Sequence, residues 1–255
     1  MTATLQLIPL LGFPLVEPGQ DLAQIIASSL KENELTLRDD DVLVVAQKVV
    51  SKAEDCYVSL ADVVPSAEAI ELARKAEKDP RQMEVVLRES REVVRVCPGV
   101  VIVEHRNGYV HANAGIDKSN IAIEEDNPRV LLLPGNPDAS AQRLRDSLSE
   151  AANVAVKVII NDSAGRAWRN GSVGIAIGCA GFDPLYNQVG ERDLYGNVLE
   201  VTEAAVADEL AAGASLVMGQ AAEGCPVVIA RGVKFQTAEV GSTSLLREKS
   251  RDLFR

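Results

Sequence analysis

Three polar stretches hold the groups in this 255-residue chain whose types and spacing suit chemistry. Asn161-Asp162-Ser163-Ala164-Gly165-Arg166 follows the apolar β-forming run 154–160, and Asn113-Ala114-Gly115-Ile116-Asp117-Lys118-Ser119-Asn120 follows Tyr109-Val110-His111-Ala112. The third, Gly219-Gln220-Ala221-Ala222-Glu223-Gly224-Cys225-Pro226, precedes the apolar run 227–231. A carboxylate beside a hydroxyl suits a hard divalent cation, which takes oxygen ligands, and Arg166 offers a fork for phosphate or carboxylate oxygens. Asp, Ser and Gly in short runs are also ordinary turn chemistry, and read singly each stretch is a turn or a helix cap. Two aspartates at strand ends, with a third polar loop at Gln220, fit a cation-centred phosphate site. A triphosphate approaches carboxylates only with metal ions between them, and two ions can clamp the attacked and leaving oxygens. Lys48 and Lys52, just past another buried strand, either meet an anion or sit in solvent.

These stretches need strands to position them. Leu5–Ile8 reads as a strand ended by Pro9, and 10–14 as a Gly/Pro loop. A helix is expected over Asp21–Leu30, with Leu22, Ile25 and Ile26 on one face, and a buried strand over Val42–Val45. Ser66–Asp79 and Arg81–Arg88, split by Pro80, read as surface-covering helices. Asn107-Gly108 between 100–106 and 109–112 predicts a two-residue hairpin turn, which sets Glu104 opposite His111. His105 and His111 are the only histidines; both are assigned structural roles, with no catalytic histidine. Further on come a turn at Asp126-Asn127-Pro128, a strand over Val130–Leu133, a helix over Pro137–Glu150 and the 154–160 strand. Gly171–Gly178 reads as a strand whose glycines let backbones pack closely. A charged loop at 190–196 leads to an alanine-rich helix over Val201–Met218, expected to pack on another helix or subunit. The last core strand is 227–232, and 242–255 is a charged helix or a segment ordered on contact. The pattern is α/β with mixed sheets, lacking a Rossmann glycine fingerprint or a Walker A sequence.

Composition excludes several classes. No apolar run reaches the roughly 18 residues that cross a bilayer, and no export signal is read at the N-terminus. Cys56, Cys97, Cys179 and Cys225 are scattered, which argues against zinc or a disulfide framework and fits a reducing cytoplasm. Net charge is −11, without a basic stripe, so neither nucleic acid nor membrane is an expected partner.

In order and spacing, several segments together resemble the coenzyme F420-0:γ-glutamyl ligase family, from Pro9 to about Gly232. They are Gly12-Phe13-Pro14-Leu15, Val49-Val50-Ser51-Lys52-Ala53-Glu54, 113–120, Asp162-Ser163-Ala164-Gly165-Arg166, Gly174–Gly178, Asp193-Leu194-Tyr195-Gly196, Ala207-Asp208-Glu209 and Met218-Gly219. The resemblance implies GTP-dependent addition of L-glutamate to the phospholactyl side chain of a deazaflavin precursor, coenzyme F420-0, and γ-linked addition to F420-1. It implies two divalent ions, Mg²⁺ or Mn²⁺, with K⁺ as an optional extra. By position Asp117 and Asp162 are the catalytic, metal-binding carboxylates, and Ser163 and Gln220 ligate a second ion. The nucleotide contacts fall on Leu11, Gly12, Phe13, Pro14, Lys52, Asn120, Met218, Gly219, Gln220, Ala221, Ala222, Glu223, Gly224 and Cys225. Ser163 stands where some relatives have Thr, and Gln220 where some have Glu, which removes a charge at the second ion. The implied fold is a two-lobed α/β monomer in an intertwined homodimer, spanning 1–255 as one unit with a lobe boundary not readable here. Some relatives carry a fused nitroreductase-like domain; this chain is expected to have none. Two other readings use the same residues: a metal-dependent nucleotide hydrolase or phosphatase, and a nucleotide-binding regulatory module without turnover.

Overall fold

The computed structural model describes residues 4–121 and 127–252. In chain order the strands and α-helices are β1 (Gln6–Pro9), α1 (Leu22–Glu32), β2 (Val42–Ala46), α2 (Gln47–Ala53), β3 (Tyr57–Ser59), α3 (Ala67–Ala76), α4 (Pro80–Arg88), β4 (Ser90–Cys97), β5 (Val100–His105), β6 (Val110–Ala112), β7 (Arg129–Leu131), α5 (Pro137–Ala152), β8 (Lys157–Arg166), β9 (Arg169–Ala180), β10 (Tyr186–Asn187), β11 (Glu203–Ala204), α6 (Val206–Met218) and β12 (Val227–Arg231). Residues 1–3, Asp126 of the expected 126–128 turn, and 253–255 of the expected tail lie outside the described residues. No helix among the described residues is long and apolar enough to cross a membrane.

A five-stranded mixed sheet, ordered β1-β12-β2-β8-β9, forms the centre. Only β2 and β8 run parallel. Strands covered on both faces read as unbroken apolar runs, and β2 does: Leu43 and Val45 point to α1, α2 and α5, while Val42 and Val44 point to α6. Small residues bring α6 against the sheet. A Cβ on Gly174 of β9 would overlap Ser215 Oγ and the Ala211 carbonyl, so that glycine is required by the approach of α6. The expectation of packing on another helix is therefore corrected, since α6 starts at Val206 rather than Val201 and lies on the sheet. The β8–β9 pairing carries a bulge. Ile177 is the extra residue, and its freed carbonyl accepts from Tyr109 Oη and, at 2.8 Å, from Ser242 Oγ.

A second core lies among α3, α4 and the three-stranded sheet β4-β5-β6, with Leu72, Met83, Val86, Val101 and Val103 buried. Helices α3 and α4 thus make a core of their own rather than a surface layer. The hairpin register also differs from expectation. The Gly108 amide donates to the His105 carbonyl at 2.7 Å, and the His105 amide to the Tyr109 carbonyl at 2.7 Å. With Gly108 at φ +96° this is a three-residue loop, not a two-residue turn. Odd loop length shifts the ladder by one residue, so His111 faces Val103 and Glu104 faces Val110. The shift turns His111 inward, where it is buried.

Two further expectations change. Residues 161–166 are not a loop but the continuation of β8. The described part of the tail, 242–252, forms two short 3₁₀ turns rather than a helix. Between β10 and β11 an excursion exposes Leu194, Tyr195 and Val201.

Candidate active site

The site forms where β2 ends. Helix α2 begins at Gln47 with no intervening loop, and the parallel register pairs Ala46 with Asn161. Gln47 and Asp162 therefore stand side by side past the same sheet rung. The Ala46 amide donates to the Pro226 carbonyl at 2.8 Å, which brings the end of the 219–226 loop to this rung as well. Asp117 arrives from a separate two-stranded sheet, β3-β7: it exchanges two backbone hydrogen bonds with Leu131 of β7, at 2.9 and 3.0 Å.

Side chains lock the arrangement. Gln47 Nε2 donates to Asp117 Oδ2 at 2.6 Å, and Ser51 Oγ donates to Gln47 Oε1 at 2.9 Å, which aims the amide donors at the carboxylate. Lys48 Nζ lies 3.0 Å from Asp117 Oδ1 and 2.9 Å from Ser119 Oγ. Ser163 Oγ donates to Gln220 Oε1 at 2.8 Å, and Asn120 Nδ2 to the Ala221 carbonyl at 3.0 Å. Buried Asn161 donates to Ser215 Oγ at 3.0 Å and Met218 Sδ at 3.5 Å, which fixes the end of α6 where the loop begins.

The three polar stretches thus meet in one cleft of about 790 Å³. Its lining includes Asp117, Asp162, Ser163, Lys52, Asn120, Phe13, Pro14 and every residue from Met218 to Cys225. Leu11 and Gly12 are not among the lining residues. The Leu11 backbone is held by the Asn33 side chain, through two 3.0 Å hydrogen bonds. The sequence reading assigned no site role to Gln47, Tyr57, Arg129 or His111, and gave Lys48 only as one of two lysines that either meet an anion or sit in solvent. Of these, only the lysine carried a signal, its place one turn before Lys52.

Burial governs the electrostatics. It pushes the Asp162 carboxyl up to about 7, with the Asp117 charge adding to the rise. Asp117 is also raised by burial, opposed by Lys48 and Gln47. His111 Nδ1 stands 3.7 Å from Asp162 Oδ2, but burial and then His105 depress the imidazole to about 4. A neutral ring supplies no counter-charge to Asp162, and the rise is opposed instead by the Ser163 amide, Lys48 and Gln47. Lys52 is lowered by burial, against the pull of Glu17.

Two desolvated carboxylates beside a hydroxyl and an amide oxygen form an all-oxygen donor set, which suits Mg²⁺ or Mn²⁺ rather than a soft metal. No group of three or more His, Cys, Asp or Glu among the described residues could hold a metal.

A family model described as F420-0:Gamma-glutamyl ligase matches residues 11–232. A coenzyme F420:L-glutamate ligase from Methanothermobacter thermautotrophicus is 46% identical over 253 residues, 98% of this chain and 99% of the relative. The protein of that name from Methanopyrus kandleri is 46% identical over 244 residues, covering 94% and 93%. The one from Methanocaldococcus jannaschii is 41% identical over 247 residues, covering 96% and 95%. With matches of this extent, the chain belongs to the F420-0:gamma-glutamyl ligase family, a family of ligase enzymes.

Proposed function

We propose that this ligase joins L-glutamate to coenzyme F420-0, and γ-linked to F420-1, with GTP as phosphoryl donor. The reading is supported by the convergence of Asp117 and Asp162 with Lys48, Lys52, Asn120 and the 218–225 loop in one cleft, alongside relatives whose names specify glutamate ligation to coenzyme F420. An unactivated carboxylate is a poor electrophile. The route that suits the cleft moves the GTP γ-phosphoryl to the acceptor carboxylate, giving an acyl phosphate. The glutamate α-amine then attacks the acyl carbon and phosphate leaves.

Divalent ions bound by Asp117 and Asp162, and by Ser163 and Gln220, would supply charge neutralisation for the phosphoryl oxygens. The chain's own groups do the rest. Lys52 places an ammonium toward the phosphates, Asn120 and residues 218–225 wall in the nucleotide, and Gln47 with Lys48 orients Asp117. Lining the reaction with protein orients the partners and keeps water from the acyl phosphate. Nothing here requires a covalent enzyme intermediate. A homodimer is part of the reading: exposed Leu194, Tyr195 and Val201 offer an apolar arm for a second copy.

Mass spectrometry of a deazaflavin precursor incubated with protein, GTP, Mg²⁺ or Mn²⁺ and glutamate tests the reaction. Glutamate-dependent mass gain is expected; GTP hydrolysis indifferent to glutamate would favour a hydrolase. With ¹⁸O in the acceptor carboxylate, label should appear in released phosphate. Light scattering in solution tests the dimer.

A further inference from the structure

One buried side chain beside Asp162 takes no part in the hydrogen bonds that lock the cleft. His111 is turned inward by the three-residue loop of its hairpin, and only 5% of it is exposed. Its Nδ1 stands 3.7 Å from Asp162 Oδ2. Its Nε2 is buried and meets no hydrogen-bond partner among the described residues. A histidine that merely fills a core would bond its nitrogens or give way to a cheaper apolar side chain.

The ring is braced where it stands. Tyr109 packs edge-on against it, with ring centroids 5.9 Å apart and planes at 79°. The Tyr109 hydroxyl is itself anchored, donating to the Ile177 carbonyl that the β9 bulge frees. Loop, bulge and tyrosine thus hold one edge of an imidazole toward the Asp162 carboxylate.

The tautomer follows from what each nitrogen meets. A neutral imidazole has one N–H and one bare nitrogen. A bare Nδ1 would set its lone pair against a carboxylate oxygen and strand the Nε2 proton in the core. A proton on Nδ1 turns the same contact into an attraction. A shift of about 0.8 Å then brings it to ordinary hydrogen-bond length. We infer that His111 is the positioning residue for Asp162: it donates Nδ1–H to Oδ2 and so turns Oδ1 toward the divalent ion. This rests on Asp162 being a metal carboxylate in the ligase reading above. A hydrogen-bond donor behind a ligating group fixes its orientation and is worth about tenfold to a hundredfold in metal affinity.

Nitrogen NMR of the ring, on wild type in chelator at pH 8, reads the tautomer directly. The Nδ1–H form is expected, and the Nε2–H form would overturn the assignment. Three variants then read the role. Asn places an amide nitrogen near the Nδ1 position, Gln reaches the Nε2 position, and Leu offers no donor. Mn²⁺ affinity, titrated by electron paramagnetic resonance without substrates, should fall about tenfold to a hundredfold in H111L and H111Q. H111N should recover most of that loss. Equal losses in H111N and H111Q at matched melting temperatures would mean a structural role only and overturn the inference, as would wild-type affinity in H111L. Should a variant fail to fold, the wild-type tautomer decides alone. Glutamate ligation by a protein whose His111 carries its proton on Nε2 would count against the His111 role alone. The Nδ1–H form with the expected ranking, in a protein that ligates no glutamate, would count against the ligase reading alone.

Discussion

Replacing Asp162 with Asn should make the metal-free protein more stable while removing its activity. Asp162 is buried, and its carboxyl is raised from an ordinary 3.8 to about 7, by burial first and the Asp117 charge second. A carboxyl raised in the folded state binds its proton more tightly there than in the unfolded chain. Between about pH 4 and pH 7 the unfolded state has lost that proton and the folded state keeps it, so stability falls as pH rises and levels off above 7. A gap of about three pH units at about 1.4 kcal/mol each comes to about 4 kcal/mol, an order-of-magnitude figure. Asn carries no charge to desolvate. In chelator at pH 8, urea midpoints should therefore put D162N above wild type by a few kcal/mol, and the gap should close toward pH 4. Groups common to both proteins cancel in the difference. Adding Mg²⁺ or Mn²⁺ should narrow that gap by raising the wild type alone, by about 2.7 kcal/mol at a hundredfold excess over Kd. Parallel pH profiles in chelator would refute the electrostatic argument. An equal response of both proteins to metal would remove Asp162 from the metal site.

Three other substitutions probe separate parts of the molecule. Lys52→Ala should weaken GTP binding in a direct titration with little effect on metal affinity, because its ammonium lines the cleft apart from the Asp117 and Ser163 contacts. Gly174→Ala should cost about 1–3 kcal/mol or more by overpacking, read as a lowered melting temperature, since the new methyl would overlap Ser215 and Ala211. Arg231→Ala should cost about 3–5 kcal/mol, also by thermal melting. It would strand buried Asp41, which accepts from Arg231 Nε at 2.8 Å and Nη2 at 2.6 Å.

The core strands were legible because burial on both faces leaves an unmistakable apolar run, as at Val42–Val45 and Val227–Arg231. The carboxylates were legible as residue types at strand ends, and as a family pattern. Their convergence was not, since it depends on the parallel register of β2 on β8 and on the bridge from Asp117 to Leu131, neither of which leaves a local mark. Residues 161–166 looked like a turn because Asp, Ser and Gly favour turns, yet pairing with β9 outweighs that preference. The hairpin failed by one residue. Asn-Gly marks a reversal, but loop length decides register, and here the glycine ends a three-residue loop. Strand β4 went unseen because Arg91, Glu92 and Arg95 break its apolar pattern and irregularities interrupt its ladder. Arg129 hid for a related reason: a charge at the start of a short strand normally means solvent.

The absence of a loop between β2 and α2 makes the cleft a vice with one fixed jaw. Gln47, Lys48 and Ser51 ride on a helix welded to the central sheet, so whatever they grip cannot shift without moving β2. The facing jaw, residues 219–225, is pinned at its base where Ala46 meets Pro226, and it crosses to the Asp117 side through Asn120 and Ala221. Drift toward new acceptors or nucleotides should therefore accumulate in 119–121 and 219–225. Change at 47–51 would misalign the carboxylates in every substrate complex at once.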